Sequence, residues 1–146
     1  MTDLCFVDTN VFLYEKETTT STKREAARNW IKELWSREAG RISSQVLVEF
    51  HANARKVVPG ASPDEIRYAL RRLYRWNPIL VDIPLIERAW TIEDRYHISW
   101  WDALIVAAAQ AAGCAYLLSE DLQDGQRFDS VTIVDPFAHD VASVLG

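Results

Sequence analysis

Four carboxylates fall where the chain passes between expected secondary-structure elements, and this placement is the first chemical signal in the sequence. Asp8 follows the apolar run Leu4–Val7, Asp102 lies in the first turn of the apolar stretch Trp100–Gln110, and Asp121 follows Tyr116–Leu118. Glu49 is the fourth, about one turn into a helix expected to open after Ser43-Ser44. Clustered without basic partners, such groups raise one another's pKa, and the usual relief is a hard divalent cation bound through oxygen. Mg2+ or Mn2+ is the expected occupant. These ions take one or two carboxylates directly and leave other positions to water and phosphate oxygens, which suits hydrolysis of a phosphodiester. Each acid also has a plainer reading. Asp8, Thr9 or Asn10 would satisfy free N–H groups at a helix start, Ser99-x-x-Asp102 fits a capping arrangement, and most helix glutamates, like Glu49, are solvated.

The elements that must position these acids follow from hydrophobic pattern. Leu4–Val7 has no polar alternation, so it reads as a strand buried on both faces, as in parallel sheets covered by helices. That puts Asp8 in the crevice outside the carboxyl ends of the strands, where open α/β sheets bind ligands. After a polar loop over Glu15–Ser21, Thr22-Lys23-Arg24-Glu25 has capping-box spacing, and Ala26, Ala27, Trp30, Ile31, Leu34 and Trp35 recur at helical period to about Ser36. Arg41–Ser44 reads as a short strand and cap, with Gln45–Ala52 as the helix it opens. Ser62-Pro63-Asp64-Glu65 is a second capping box, opening a helix with Ile66, Ala69, Leu70 and Leu73 on one face. Asn77–Val81 resembles another strand, ending at Asp82, and Pro84–Tyr96 the next helix. Tyr116–Leu118 and Val131–Val134 complete the expected strands, and Pro136–Leu145 a terminal helix. This alternation predicts a doubly wound α/β fold, a parallel-sheet α/β/α sandwich, with residues 1–146 as one domain.

Composition narrows the partners. At 146 residues and 49% hydrophobic, the chain is the right size for a single core. The net charge of −5 argues against a protein that coats nucleic acid by bulk electrostatics. Residues 55–75 nevertheless carry six basic groups against two acidic ones, which leaves −9 for the remainder, part of it available to hold a cation. No apolar run approaches the roughly 18 residues needed to span a bilayer. A cytoplasmic protein without membrane contact is expected. Cys5 and Cys114 have neither metal-ligand nor disulfide spacing and read as small buried apolar residues.

Taken in order, Phe6-Val7-Asp8-Thr9-Asn10, Ser44-Gln45-Val46-Leu47-Val48-Glu49-Phe50, Trp101-Asp102-Ala103-Leu104-Ile105 and Leu117-Leu118-Ser119-Glu120-Asp121-Leu122 resemble the motifs of PIN-domain ribonucleases. Within that family they are most similar to the VapC-like toxins of bacterial and archaeal toxin–antitoxin pairs. The resemblance implies Mg2+- or Mn2+-dependent cleavage of RNA at an acidic site of Asp8, Glu49, Asp102 and Asp121, with the metal on Asp8, Asp102 and Asp121. Thr9 and Asn10 would assist by hydrogen bonding. Asp124, three residues beyond Asp121, is the alternative late ligand or a supporting group. The implied partners are an RNA substrate and a cognate antitoxin, and the tryptophan-rich apolar helix pair suggests a homodimer. Two rivals stand beside this reading. A haloacid dehalogenase-type phosphatase also opens on a strand ending in Asp, but it needs a second Asp where this chain has Asn10, and a late lysine where the last is Lys56. The other is a PIN-like interaction module that no longer cleaves.

Overall fold

The structure, a computed structural model, describes residues 3–146. Five short strands, β1 (Cys5–Val7), β2 (Gly40–Arg41), β3 (Tyr116–Leu118), β4 (Arg127–Phe128) and β5 (Val131–Val134), form one sheet in the order β2-β1-β3-β5-β4. β1 pairs in parallel with β2 and β3, and β3 with β5; only β4 runs antiparallel, as a hairpin on β5. Seven helices surround it: α1 (Thr9–Lys16), α2 (Thr22–Arg37), α3 (Ser44–Val57), α4 (Pro63–Arg72), α5 (Ile83–Tyr96), α6 (Trp100–Ala111) and α7 (Val141–Leu145). All three β1 residues are buried, as the unbroken apolar run requires of a strand covered on both faces.

The strand order explains where a site can form. The chain steps from β1 to β2 through α1 and α2, then returns past β1 to β3 through α3–α6. Parallel crossovers are right-handed, so steps in opposite directions put their helices on opposite faces. The result is the α/β/α sandwich expected from the sequence, with α2 against β2 and α6 against β3 and β5. Because the order reverses at β1, a crevice opens outside the carboxyl ends of β1 and β3. Asp8 and Ser119 are the residues that leave those two ends.

The packing beneath is close. Ala103–Ala109 of α6 are all buried, consistent with its nearly all-apolar sequence. The Trp30 indole N–H, inside the core, is shared between the carbonyls of Pro136 and His139 at 3.1 and 3.0 Å, fixing the C-terminal turn to α2. At Gly40 the ring of Trp76 lies where a Cβ would sit, 2.5 Å away, so no larger residue fits there without displacing the indole.

Several local expectations are corrected. α1 runs on to Lys16, shortening the polar loop, and α2 is capped by Ser21, whose hydroxyl accepts the Arg24 N–H; Thr22 is already helical. Asn77–Val81 is not a strand but makes a single parallel bridge from Ile79 to Ser43, because β2 beside it is only two residues long. Leu80 is accordingly exposed. β4 was not foreseen. The terminal helix is only Val141–Leu145, capped by Asp140, and the residues before it form a turn pinned by Trp30 and Asp135.

Candidate active site

The geometry starts at the end of β1. Asp8 donates its backbone N–H to the Leu118 carbonyl at 3.0 Å, which ties the carboxyl ends of β1 and β3 together. Its extended backbone makes it the N-cap of α1, with one carboxylate oxygen accepting the Thr9 N–H at 2.8 Å. The capping role and the site role therefore fall on the same side chain. The other oxygen accepts from the Ser119 hydroxyl at 2.9 Å, and that hydroxyl in turn accepts the Asp121 N–H at 3.1 Å. One buried serine thus sets the separation of the first and last acids.

Helix α1 supplies the next two donors from consecutive residues. The Thr9 hydroxyl donates to one oxygen of Glu49 at 3.0 Å, and the Asn10 amide donates to Asp121 at 2.8 Å. Glu49 lies in the second turn of α3 and turns inward, its other oxygen accepting from Gln45 one turn earlier at 2.7 Å. Gln45 also reaches the Trp101 carbonyl at 3.4 Å, which places the first turn of α6 beside α3. Asp102 sits in that first turn; its N–H is capped by Ser99, as the spacing suggested. Among the described residues its carboxylate has neither a hydrogen-bond donor nor a basic partner.

Electrostatics show that the acids sense one another. Burial pushes the Asp8 pKa up to about 7, with Asp121 and Glu49 adding to the rise and the Ser119 and Thr9 donors opposing it. Asp121 is exposed as a residue, yet its carboxyl is raised by partial desolvation first, then by Asp102 and Glu120, against the Asn10 amide. Among the described residues no lysine or arginine pairs with any of the four; Lys23, at the edge of the site, is held by Glu120 at 2.7 Å.

Asp124 stands apart. It accepts the Asp135 N–H and pairs with His139 at 2.7 Å, which lowers the pKa of the aspartate and raises that of the histidine. It fastens the loop after β3 to the C-terminal turn, whereas Asp121 faces the other acids. Sequence reasoning missed Ser119 and Gln45. Ser119 had a readable signal, since it leaves β3 as Asp8 leaves β1; Gln45 had none beyond its spacing of four from Glu49.

The donor set is oxygen-only, anionic and uncompensated, which fits a hard divalent cation and not a soft one. Among the described residues no three acids, histidines or cysteines are gathered tightly enough to enclose a metal by themselves.

Comparison with known proteins agrees with the topology. The family model described as PIN domain matches residues 5–131. Among solved structures, a toxin–antitoxin complex from Klebsiella pneumoniae superposes with a TM-score of 0.62 at 20% identity, covering 94% of this chain and 99% of that one. VapC20 of Mycobacterium tuberculosis, described as a sarcin–ricin loop cleaving toxin, gives 0.59 at 22% identity over 88% and 98%. FitAcB from Neisseria gonorrhoeae gives 0.64 at 17% identity over 92% and 99%. No curated protein is matched. The haloacid dehalogenase alternative falls away, since the family model that matches residues 5–131 is that of the PIN domain. With its motif order, its sheet topology and a family match over most of its length, the chain belongs to the PIN domain family.

Proposed function

We propose that this protein is a Mg2+- or Mn2+-dependent endoribonuclease and the toxin of a toxin–antitoxin pair. The observation that carries the reading is the set of four acids at the switch point of the sheet, three of them held by neutral donors and none neutralised by a base. Asp8, Asp102 and Asp121 would hold the cation. When bound, it supplies the positive charge that a phosphodiester's non-bridging oxygens and an attacking water require. Ser119 and Asn10 keep Asp8 and Asp121 aimed into the crevice, and Thr9 and Gln45 do the same for Glu49. Glu49 is the acid assigned to take up a proton from the attacking water. Burial of Asp8 favours cation binding, because a carboxylate that is costly to ionise alone gains most from a counter-ion.

The partners follow from two surfaces. A groove of about 280 Å³ between α1, α2, α3 and α4 is lined by Phe12, Ile31, Trp35, Phe50, Ile66 and Leu73, with charged residues at its rim, and suits an apolar antitoxin segment. Val48, Leu80, Ile83, Trp90 and Trp101 are each exposed, and we assign these apolar side chains to a homodimer contact. Among the described residues no helix is long and apolar enough to cross a membrane; we place the protein in the cytoplasm with its RNA substrate.

The test is cleavage of a mixed RNA pool with Mg2+ or Mn2+. Asp8→Asn and Asp102→Asn should lose activity by orders of magnitude while remaining folded. Wild-type rates in either variant would end the nuclease reading, and metal binding without cleavage by the wild type would favour an interaction module. A monomer by light scattering at tens of micromolar would count against the dimer.

A further inference from the structure

Gln45 is buried, 8% exposed, on the stripe of α3 that also carries Glu49 and Asn53, beside the apolar stripe of Val46, Phe50 and Ala54, and it lies outside the acidic set. Its amide nitrogen donates to Glu49 at 2.7 Å and to the Trp101 carbonyl at 3.4 Å. Both neighbours are acceptors, so the amide has one orientation only: the nitrogen must face them. The consequence is that the amide oxygen is enclosed with no donor of its own. A buried acceptor left unpaired destabilises the fold, and native structures keep few of them without a reason.

We propose that Gln45 is a positioning residue for the acidic site, fixing Glu49 and the Asp102-bearing turn of α6 at a set separation. The inference rests on the nuclease reading above. Thr9 takes one oxygen of Glu49 and Gln45 takes the other, so the carboxylate is held from two elements, α1 and its own helix. The second contact of Gln45 reaches the backbone of Trp101, the residue before Asp102. A single side chain therefore spans the gap between the two helices that deliver the middle two acids. Neither Glu49 nor Asp102 needs this amide for helix formation, since α3 is capped by Ser43 and α6 by Ser99. The amide is spent on placement, and its orphaned oxygen is what that placement leaves behind.

The test is Gln45→Met, which keeps length and apolar bulk and removes both the donor and the orphaned acceptor. A merely structural role would move the melting temperature and leave turnover alone. The proposal expects the reverse: a melting temperature equal to or above wild type, and a fall in kcat for RNA cleavage with Mn2+ of roughly 10- to 100-fold, the loss usual when an outer partner of a metal-site ligand is removed. KM should change little. Mn2+ affinity, measured by calorimetry without RNA, should weaken by about tenfold. A double-mutant cycle separates the two routes: in a Glu49→Gln background the same change should weaken Mn2+ affinity by less than in the wild type, leaving only the part that runs through the Asp102-bearing turn. Unchanged kcat and Mn2+ affinity in Gln45→Met would overturn the proposal, as would a loss of equal size in the Glu49→Gln background, which would show no coupling to Glu49, or a lowered melting temperature, which would mark a global defect. Should the wild type cleave no RNA, the nuclease reading fails, and the affinity cycle still decides the role of Gln45.

Discussion

Replacing Asp8 by asparagine should change stability with a sign that depends on pH. In the metal-free protein the Asp8 pKa is pushed up to about 7 from an ordinary 3.8, chiefly by burial. A raised carboxyl pKa means that the stability contributed by this one group is fully present below pH 3.8, declines as pH rises from there to about 7, and is absent above it. The shift of about 3 pK units corresponds to about 4 kcal/mol that the ionised wild type forgoes above pH 7. Asparagine carries no charge and avoids this penalty. It keeps an oxygen for the Thr9 N–H, but its amide nitrogen faces the Ser119 hydroxyl, which must then stop donating to residue 8 while still serving the Asp121 N–H. That disruption costs on the order of 1 kcal/mol, and loss of the charged cap a further ~0.5 kcal/mol. The variant should therefore be more stable than wild type by roughly 2 kcal/mol at pH 8 and less stable by roughly 1 kcal/mol near pH 4. Urea denaturation in chelator, followed by tryptophan fluorescence, measures this as a shift of about 1 M in midpoint at pH 8 for a slope near 2 kcal/mol/M. A difference of the same sign and size at both pH values, or a less stable variant at pH 8, would refute the argument that burial and neighbouring acids strain Asp8.

Other expectations are checked more briefly. Mn2+ should raise the melting temperature of the wild type, by the equivalent of about 2.7 kcal/mol at a hundred times its dissociation constant, and should leave Asp8→Asn nearly unmoved. Gly40→Ala should destabilise by about 1–3 kcal/mol, since its methyl group meets the buried Trp76 ring; a melt equal to wild type would show that the indole has room to shift. The exposed Asp124–His139 pair should contribute only between the lowered titration of the aspartate and the raised one of the histidine. His139→Gln should accordingly lower the melting temperature slightly near about pH 5 and not at about pH 9.

Much of the fold was legible because its signals are local. The apolar run of β1 announced a strand buried on both faces, and Ser62-Pro63-Asp64-Glu65 opened α4 as written, with Ser62 accepting the Glu65 N–H. Where two local signals competed, sequence could not choose. Ser21 and Thr22 are both capping types, and Ser21 holds the cap while its hydroxyl also bonds Glu17, the C-cap of α1 at the start of the preceding loop. Asn77–Val81 looked like a strand by composition, but a strand needs a neighbour long enough to pair with, and β2 is not. In the acidic site the positions of the acids followed from element ends. The donors that orient them did not, because the pairing of Ser119 with Asp8 or Gln45 with Trp101 exists only once distant segments meet.

The bond between Ser119 and Asp8 spans 111 residues of chain and sets an order of events during synthesis. β1 leaves the ribosome first, yet its carboxyl end has no partner for Asp8 until β3, more than a hundred residues later, has emerged and slid in beside it. Such distant parallel pairing is among the slower steps of folding. The N-terminal acids therefore stay apart from the late ones until β3 and the loop after it have been made. Under the nuclease reading proposed above, an RNA that meets the chain before β3 has emerged meets an incomplete acidic site.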